Sequence, residues 1–272
     1  MSKLLRANFS RLGHDRAFRL LSALMAFFGT SMAVVNAVHA RQDGEIWVMF
    51  IYVILAPIVN AVLTALFIGN DYSSGTMRNK RIVGHRRGII YLANLLVCVC
   101  AGICLCLAFA LPQAAAGLLL KGELNAAPAT LLLYVGLSFA LMIAFMALFT
   151  LIAMLCQNKS HTTAGCILLT FALLFAGVYI SSTLEEPEYL AAYSYTENGV
   201  TVEEPEQRNP YYITGMKRQV YEFLQDLTPG GQVIQISEMG VKKPAMLAIY
   251  DGLILLLVTG FGLVFFRRED LK

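Results

Sequence analysis

The sequence predicts an all-α membrane protein with six transmembrane helices. Of its 272 residues, 57% are hydrophobic and only 14% are charged, whereas soluble domains carry about 25% charged residues. Six runs are predominantly apolar, several of them on every face, and are close to the length of about 20 residues that a helix needs to cross a bilayer core. These runs are Leu20–Val38, Ile46–Ile68, Ile89–Leu111, Ala129–Leu155, Ala164–Ser182 and Ala245–Phe266.

The third run is followed by Pro112 and then by a second apolar stretch, Ala114–Leu120. Proline lacks a backbone donor and kinks or breaks a helix. We therefore expect the stretch after Pro112 to bend back into the membrane interface instead of extending the third span, and we count it as part of the third element.

Lysine and arginine are concentrated on one side of the predicted spans. The two termini and the connections between spans two and three and between spans four and five hold 14 of the 21 basic residues. Short segments rich in these residues stay in the cytoplasm. We therefore expect a multi-pass protein of the cell membrane with both termini cytoplasmic. The net charge of +3 is weak evidence for a nucleic-acid partner, and we expect none.

The first 19 residues predict a short amphipathic helix ahead of the first span. Leu5, Phe9 and Leu12 recur at helical spacing, and basic residues occupy the other faces. Such a helix can lie in the membrane surface with its apolar face in the acyl boundary. The alternative is an ordinary basic flank that only fixes the topology.

Residues 69–88, between spans two and three, predict a short helix just beneath the bilayer. Asp71 is expected to cap its N-terminus, Gly84 suits the left-handed position that closes it, and Lys80 and Arg81 complement its dipole. About three turns of helix fit between these caps. A polar helix held by short connections to two spans suits docking onto a cytoplasmic protein. The alternative is a topology-setting loop that touches only lipid phosphates.

Residues 69–91 also resemble a known family. The run Gly69-Asn-Asp-Tyr-Ser-Ser-Gly-Thr-Met-Arg-Asn79, followed by Gly84-His-Arg86 and Ile89-Ile-Tyr91, is similar to the hallmark of ABC-2-type permeases, the membrane subunits of ABC exporters. The C-terminal run from Phe265 to Lys272 resembles the usual ending of that family. Many members have glutamate where this chain has Asp71.

The resemblance implies a cytoplasmic coupling helix that docks into a cleft on an ATPase. It implies six spans per subunit and a dimer of permeases bound to two ATPase subunits. The segment from Asp71 to Val83 would dock. The residues assigned to coupling are Asp71, Tyr72, Ser73, Ser74, Gly75, Thr76, Met77, Arg78, Asn79 and Lys80.

The chain lacks the Gly-x-x-x-x-Gly-Lys-Ser/Thr loop that binds nucleotide phosphates. We therefore expect no enzymatic activity and no cofactor in this chain. ATP and magnesium are expected on the partner ATPase.

Residues 183–244 predict an extracellular segment, with ten acidic residues against five basic ones. Apolar residues at helical spacing predict one amphipathic helix at about 212–227, and Thr228-Pro-Gly-Gly231 is expected to stop it. The segment is interpreted either as a cap or gate, or as a solvated loop with one helix. It separates residues 20–182, which hold spans one to five, from residues 245–272, which hold the sixth span and the tail.

Polar residues within the spans are candidates for a transport pathway. Asp251 and Asn60 are the two that we single out, because a carboxylate at membrane depth is costly unless it is paired, protonated or hydrated. The alternatives are an aspartate that reaches the interface and an asparagine that bonds a neighbouring helix. The six cysteines lie in or beside apolar runs at spacings unlike those of a zinc site, so we interpret them as apolar filler.

Three functional classes are weighed against one another. Active export driven by a separate ATPase accounts for the polar segment after span two. An immunity or receptor protein that binds a toxin or peptide without pumping leaves that segment without a role. An intramembrane enzyme needs converging catalytic groups or metal ligands, and all four histidines lie outside the span interiors.

Overall fold

Six helices of the structure are long and apolar enough to cross a membrane, as the sequence predicts. The structure is a computed structural model that describes residues 1–43, 50–119, 127–197, 200–204 and 206–268. Helices and strands are labelled in chain order. The first seven helices are α1 (Ser2–His14), α2 (Arg16–Asp43), α3 (Tyr52–Ser73), α4 (Thr76–Ile82), α5 (Arg87–Leu119), α6 (Pro128–Cys156) and α7 (Lys159–Glu185). The sixth span is the last helix, α10 (Pro244–Arg268).

The spans are longer than the apolar runs that predict them, because helices continue into polar residues until a cap ends them. Five of the six extend beyond the predicted run at both ends. The second predicted span starts at Ile46, and residues 44–49 lie outside the described residues. Its helix in the described part of the chain is α3.

The N-terminal segment is two helices and not the single element 1–19 that was predicted. Asp15 separates them, because its Oδ1 accepts hydrogen bonds from the backbone of Ala17 at 2.7 Å and Phe18 at 3.2 Å and so caps α2. The buried face of α1 also differs from the predicted one. Leu12 is buried as expected, but its buried neighbours are Leu4 and Asn8, and Phe9 is exposed.

The prediction that the chain bends back after Pro112 is wrong. Helix α5 continues through Pro112 to Leu119. Proline removes only one backbone donor, and α2 packs along α5 and holds it in place. Gln113 next to the proline is buried, in keeping with a helix that stays inside the bundle.

Helix α3 is the centre of the bundle. In the most apolar 18-residue stretch of α3, 72% of the residues are buried, whereas the corresponding share is 17–28% in α2, α7 and α10. It contacts α5, α6 and α7, so a movement of α3 must be accommodated by most of the bundle. The three peripheral helices present exposed leucine, valine and phenylalanine side chains, as expected of surfaces that face lipid.

The bundle has two distinguishable ends. We call the end that holds α1, α4 and the α6–α7 connection the basic end. The opposite end holds residues 186–243, which we call the distal segment. It contains β1 (Tyr189–Leu190), β2 (Tyr193–Glu197), β3 (Val200–Glu204), β4 (Gln207–Arg208), α8 (Gly215–Leu227) and α9 (Pro229–Ser237). Strands β1 and β4 pair antiparallel, as do β2 and β3.

The distal segment contains a helix that the sequence did not predict. Thr228 ends α8, as expected, but its hydroxyl also accepts from the backbone N–H of Gly231 and so caps a second helix, α9. All nine residues of α9 are buried. Its first turn lies so close to α7 that a Cβ atom on Gly230 would overlap the carbonyl of Leu173. The interpretation of this segment as a solvated loop with one helix is therefore wrong.

Candidate functional site at the basic end

The turn between α3 and α4 consists of Ser74 and Gly75. Gly75 has φ +69°, a left-handed conformation that suits glycine, and it directly precedes the first residue of α4. The hydroxyls of Ser74 and Thr76 are hydrogen-bonded across the turn at 2.8 Å. A two-residue connection of this kind leaves α4 little freedom to move independently of α3.

Asp71 does not cap α4, contrary to the prediction. It lies in the last turn of α3, where its side chain is fully buried. Its Oδ2 accepts a hydrogen bond from Nζ of Lys80 at 2.7 Å, and its Oδ1 forms an ion pair with the guanidinium of Arg11. We call Arg11, Asp71 and Lys80 the ion cluster. Burial of the carboxylate is costly, and the two cations compensate that cost.

Lys80 faces inward because of its position on α4. It lies three residues after Met77, and residues at this spacing share one face of a helix. Both side chains are buried against the end of α3. Burial lowers the pKa of Lys80 to about 7, and the positive charge of Arg11 acts in the same direction.

Helix α1 is attached to two spans through side chains on its inner face. The guanidinium of Arg11 lies 3.9 Å from the centroid of the Phe67 ring on α3, a cation–π contact. The amide of Asn8 donates to Oδ1 of Asn94 on α5 at 2.9 Å. Asn94 therefore links α5 to the neighbouring helix α1.

The end of α3 also contacts the connection between α6 and α7. The hydroxyl of Tyr72 donates to the carbonyl of Met154 on α6 at 2.9 Å. Gly69 lies against Lys159, the first residue of α7: a Cβ atom there would be 3.0 Å from the Lys159 Cα. Four spans and α1 therefore meet around the turn that carries α4.

The outer face of α4 is exposed and mixes basic with apolar groups. Arg78, Asn79 and Arg81 are exposed. Ile82 and Val83 at its C-terminal end are 73% and 76% exposed. Large apolar side chains at this exposure mark an interaction surface when they stand together. We call these five residues the α4 surface.

The C-terminal end of α4 is closed as predicted, but the helix is shorter. Gly84 has φ +96°, and its N–H donates to Arg81 while that of His85 donates to Lys80, the pattern of a Schellman motif. The helix has seven residues, about two turns, where three turns were expected. It is shorter because α3 runs on to Ser73 and takes up the residues assigned to the first turn.

The ten residues that the resemblance assigns to coupling have different positions. Asp71, Met77 and Lys80 are buried, whereas Ser73, Ser74, Arg78 and Asn79 are exposed. Tyr72, Gly75 and Thr76 are intermediate. Sequence reasoning missed Arg11 as a partner of Asp71, because the two are 60 positions apart and no local pattern links them.

The two candidate pathway residues have different neighbours. Asn60 is fully buried between α3 and α6, with its amide 3.3 Å from the sulfur of Met142. Asp251 on α10 is 3% exposed and lies beside Gln232 of α9. Within the described part of the chain, no cation forms an ion pair with Asp251.

Metal ligands do not converge in the described residues. Groups of three or more histidine, cysteine or acidic side chains that could hold an ion are absent from these residues. Cys98, Cys106 and Cys166 are buried in the helix bundle, the position expected of apolar filler, whereas Cys100, Cys104 and Cys156 are exposed and do not fill space between helices.

The family comparison covers the whole ion cluster. The model of a family described as ABC-2 family transporter protein matches residues 6–177, which include α4 and the first four spans completely and α1 from Arg6 to its end. The chain belongs to this family. It is a multi-pass membrane protein with a permease-type role, and the family is one of membrane components that generally have no enzymatic activity. Family membership also implies partnership with an ABC ATPase. No curated protein matches the chain.

Proposed function

We propose that this chain is the permease subunit of a bacterial ABC exporter, and that an ATPase subunit on a separate chain drives it by binding the α4 surface. The observation that carries the proposal is the two-sided character of α4. Its inner face is fixed to α3 by Lys80 and Met77, and its outer face is exposed. A helix built in this way can receive a partner on one side and transmit force on the other.

Transmission follows from the contacts of the ion cluster. A push on α4 acts on Asp71 through Lys80, and Asp71 belongs to α3, the most buried span. The same carboxylate holds Arg11, so α1 moves with it. Asn94 and Tyr72 extend the linkage to α5 and α6. Closure of an ATPase pair would in this way reach α1 and three spans, α3, α5 and α6.

The composition of the α4 surface indicates the chemistry of its partner. Ile82 and Val83 supply an apolar centre, and Arg78 and Arg81 supply positive charge beside it. A complementary cleft on an ATPase would have an apolar floor and acidic rims, because interfaces pair apolar cores with charge-complementary edges. ATP and magnesium would be bound by that ATPase.

The membrane orientation and the assembly form part of the same proposal. The basic end is cytoplasmic, both termini are on that side, and the protein resides in the plasma membrane, in agreement with the concentration of lysine and arginine at that end. A second permease copy completes the complex. The exposed apolar faces of α2, α7 and α10 supply surface for lipid and for that copy.

The test is co-purification of ATP-hydrolysing activity. The tagged chain would be purified in mild detergent from its native host, and vanadate-sensitive ATP hydrolysis would be measured in the eluate. The bound ATPase would be identified by mass spectrometry through its phosphate-binding loop. The Ile82→Asp and Val83→Asp double variant should lose at least about 90% of this activity, because it places two charges in the apolar centre of the interface.

The matched control is the Met216→Asp and Val220→Asp double variant on α8. These side chains are also apolar and exposed, but they belong to the distal segment. The control should retain the ATPase. An intact ATPase complex in the α4 variant, or equal loss in both variants, would contradict the proposal.

A further inference from the structure

A cleft at the basic end combines four arginines with an apolar wall. It has a volume of about 750 Å³ and lies between the connection after α4, the start of α5 and the end of α10. Its arginines are Arg81, Arg86, Arg87 and Arg267. Acidic residues do not line it in the described part of the chain. We call it the arginine cleft.

The apolar wall belongs to the transmembrane helices. Ile89 and Leu92 come from α5, Leu263 comes from α10, and all three are half-buried. Arg87 is the first residue of α5, and Arg267 is in the last turn of α10. The charged mouth therefore lies at the boundary where two spans leave the membrane, and the wall extends from it into the apolar region.

The cleft is held in shape by contacts between α5 and α10. Nη1 of Arg87 donates to the backbone carbonyl of Arg267 at 3.0 Å. One turn further into the bundle, the rings of Tyr91 and Phe266 are 6.3 Å apart, and both side chains are fully buried. The two helix ends that form the cleft are therefore fixed relative to each other before any ligand binds.

Four like charges at one site favour a multivalent anion. Guanidinium groups repel each other at short distance and bind phosphate oxygens through paired N–H donors. A soluble anion would leave the apolar wall exposed to water. A phospholipid satisfies both parts, because its phosphate reaches the arginines while an acyl chain covers Ile89 and Leu263. Basic pockets between transmembrane helices at the cytoplasmic face bind anionic headgroups in this way.

We propose that the arginine cleft binds an anionic phospholipid, which connects the turn that follows α4 to α10 through Arg86 and Arg267. The lipid would oppose separation of α10 from the turn that follows α4. This site goes beyond the proposed function and requires no ATPase, so its failure would leave the α4 surface unaffected.

The first test measures lipid-dependent stability. The purified full-length chain in detergent would be titrated with phosphatidylglycerol, with phosphatidylcholine and with soluble glycerol phosphate, and the midpoint of thermal unfolding would be followed. Phosphatidylglycerol should raise the midpoint, and the other two should not at equal concentration. A rise with glycerol phosphate equal to that with the lipid would show that the acyl chain is not recognised and would overturn the proposal.

The second test locates the effect in the cleft. The Arg86→Gln and Arg267→Gln double variant should bind phosphatidylglycerol roughly 30-fold more weakly, since each arginine that contacts the headgroup contributes a factor of about five. The control is the Arg6→Gln and Arg16→Gln double variant, which has the same charge change at exposed positions of the same end. Its lipid response should stay unchanged.

Native mass spectrometry of both variants counts the bound lipids directly. The count does not depend on how stable each variant is without lipid. Fewer retained phosphatidylglycerol molecules in the cleft variant than in the control would support the site. Equal retention in the two variants would overturn it. Loss of the ATPase by the cleft variant with an unchanged lipid count would show that the cleft is a protein-binding surface instead.

Discussion

Nζ of Lys80 lies 2.7 Å from Oδ2 of Asp71, across the two-residue turn between α3 and α4. This ion pair fixes the inner face of a two-turn helix to the most buried span. Arg11 on α1 binds the other carboxylate oxygen, so one side chain joins α1, α3 and α4. The arrangement gives α4 a defined position and leaves its opposite face available.

Replacing Asp71 by asparagine should destabilise the protein by about 3 kcal/mol, because it leaves the buried Lys80 beside Arg11 without a counter-charge. The measurement is thermal or denaturant unfolding in detergent. The matched change is Asp251→Asn, which should cause a much smaller loss of stability, since none of the ion pairs among the described residues involves Asp251. Equal destabilisation by the two substitutions would contradict this interpretation of the ion cluster.

Stability should rise with pH above neutrality through Lys80. Burial lowers its pKa to about 7 in the folded protein, whereas an unfolded lysine titrates near pH 10.4. Between these values the unfolded chain binds more protons, so the free energy of unfolding increases with pH. The Lys80→Met variant keeps the Arg11–Asp71 pair and should show a smaller rise in unfolding midpoint between pH 7 and pH 9. If the unfolding midpoints of the unchanged protein and the variant depended on pH in the same way, Lys80 would be excluded as the source of the pH dependence.

Gly230→Ala should destabilise the distal segment, because its Cβ atom would overlap the carbonyl of Leu173 on α7 and force α9 out of its buried position. We expect a loss of at least about 2 kcal/mol. Gly240→Ala is the matched control, since its Cβ atom would lie 4.0 Å from the nearest carbonyl oxygen. Similar unfolding midpoints for the two variants would show that α9 is not tightly packed.

The sequence predicted the features that depend on local composition. Apolar runs of bilayer length located all six spans, and Gly84 located the end of α4. Residues 69–91 were sufficient to recognise the family. These signals are local, because membrane insertion and helix closure are decided by residues that are near each other in the chain.

The features that depend on distant contacts were not predictable. Asp71 was interpreted as a helix cap because aspartate favours that position, but Arg11 and Lys80 stabilise it inside α3. Helix α9 was missed because Pro229, Gly230 and Gly231 read locally as a turn. In the structure the proline occupies the first turn, where it costs no hydrogen bond, and Gly230 permits close approach to α7.

The most direct test of coupling through α4 is site-specific photo-crosslinking in native membranes. A benzophenone amino acid would be placed at Val83 on the α4 surface or at Met216 on α8, which are 76% and 77% exposed. Irradiation at Val83 should give an adduct with an ABC ATPase, identified by its phosphate-binding loop, and irradiation at Met216 should not. An ATPase adduct at Met216, or none at Val83 while the complex is intact, would contradict the account.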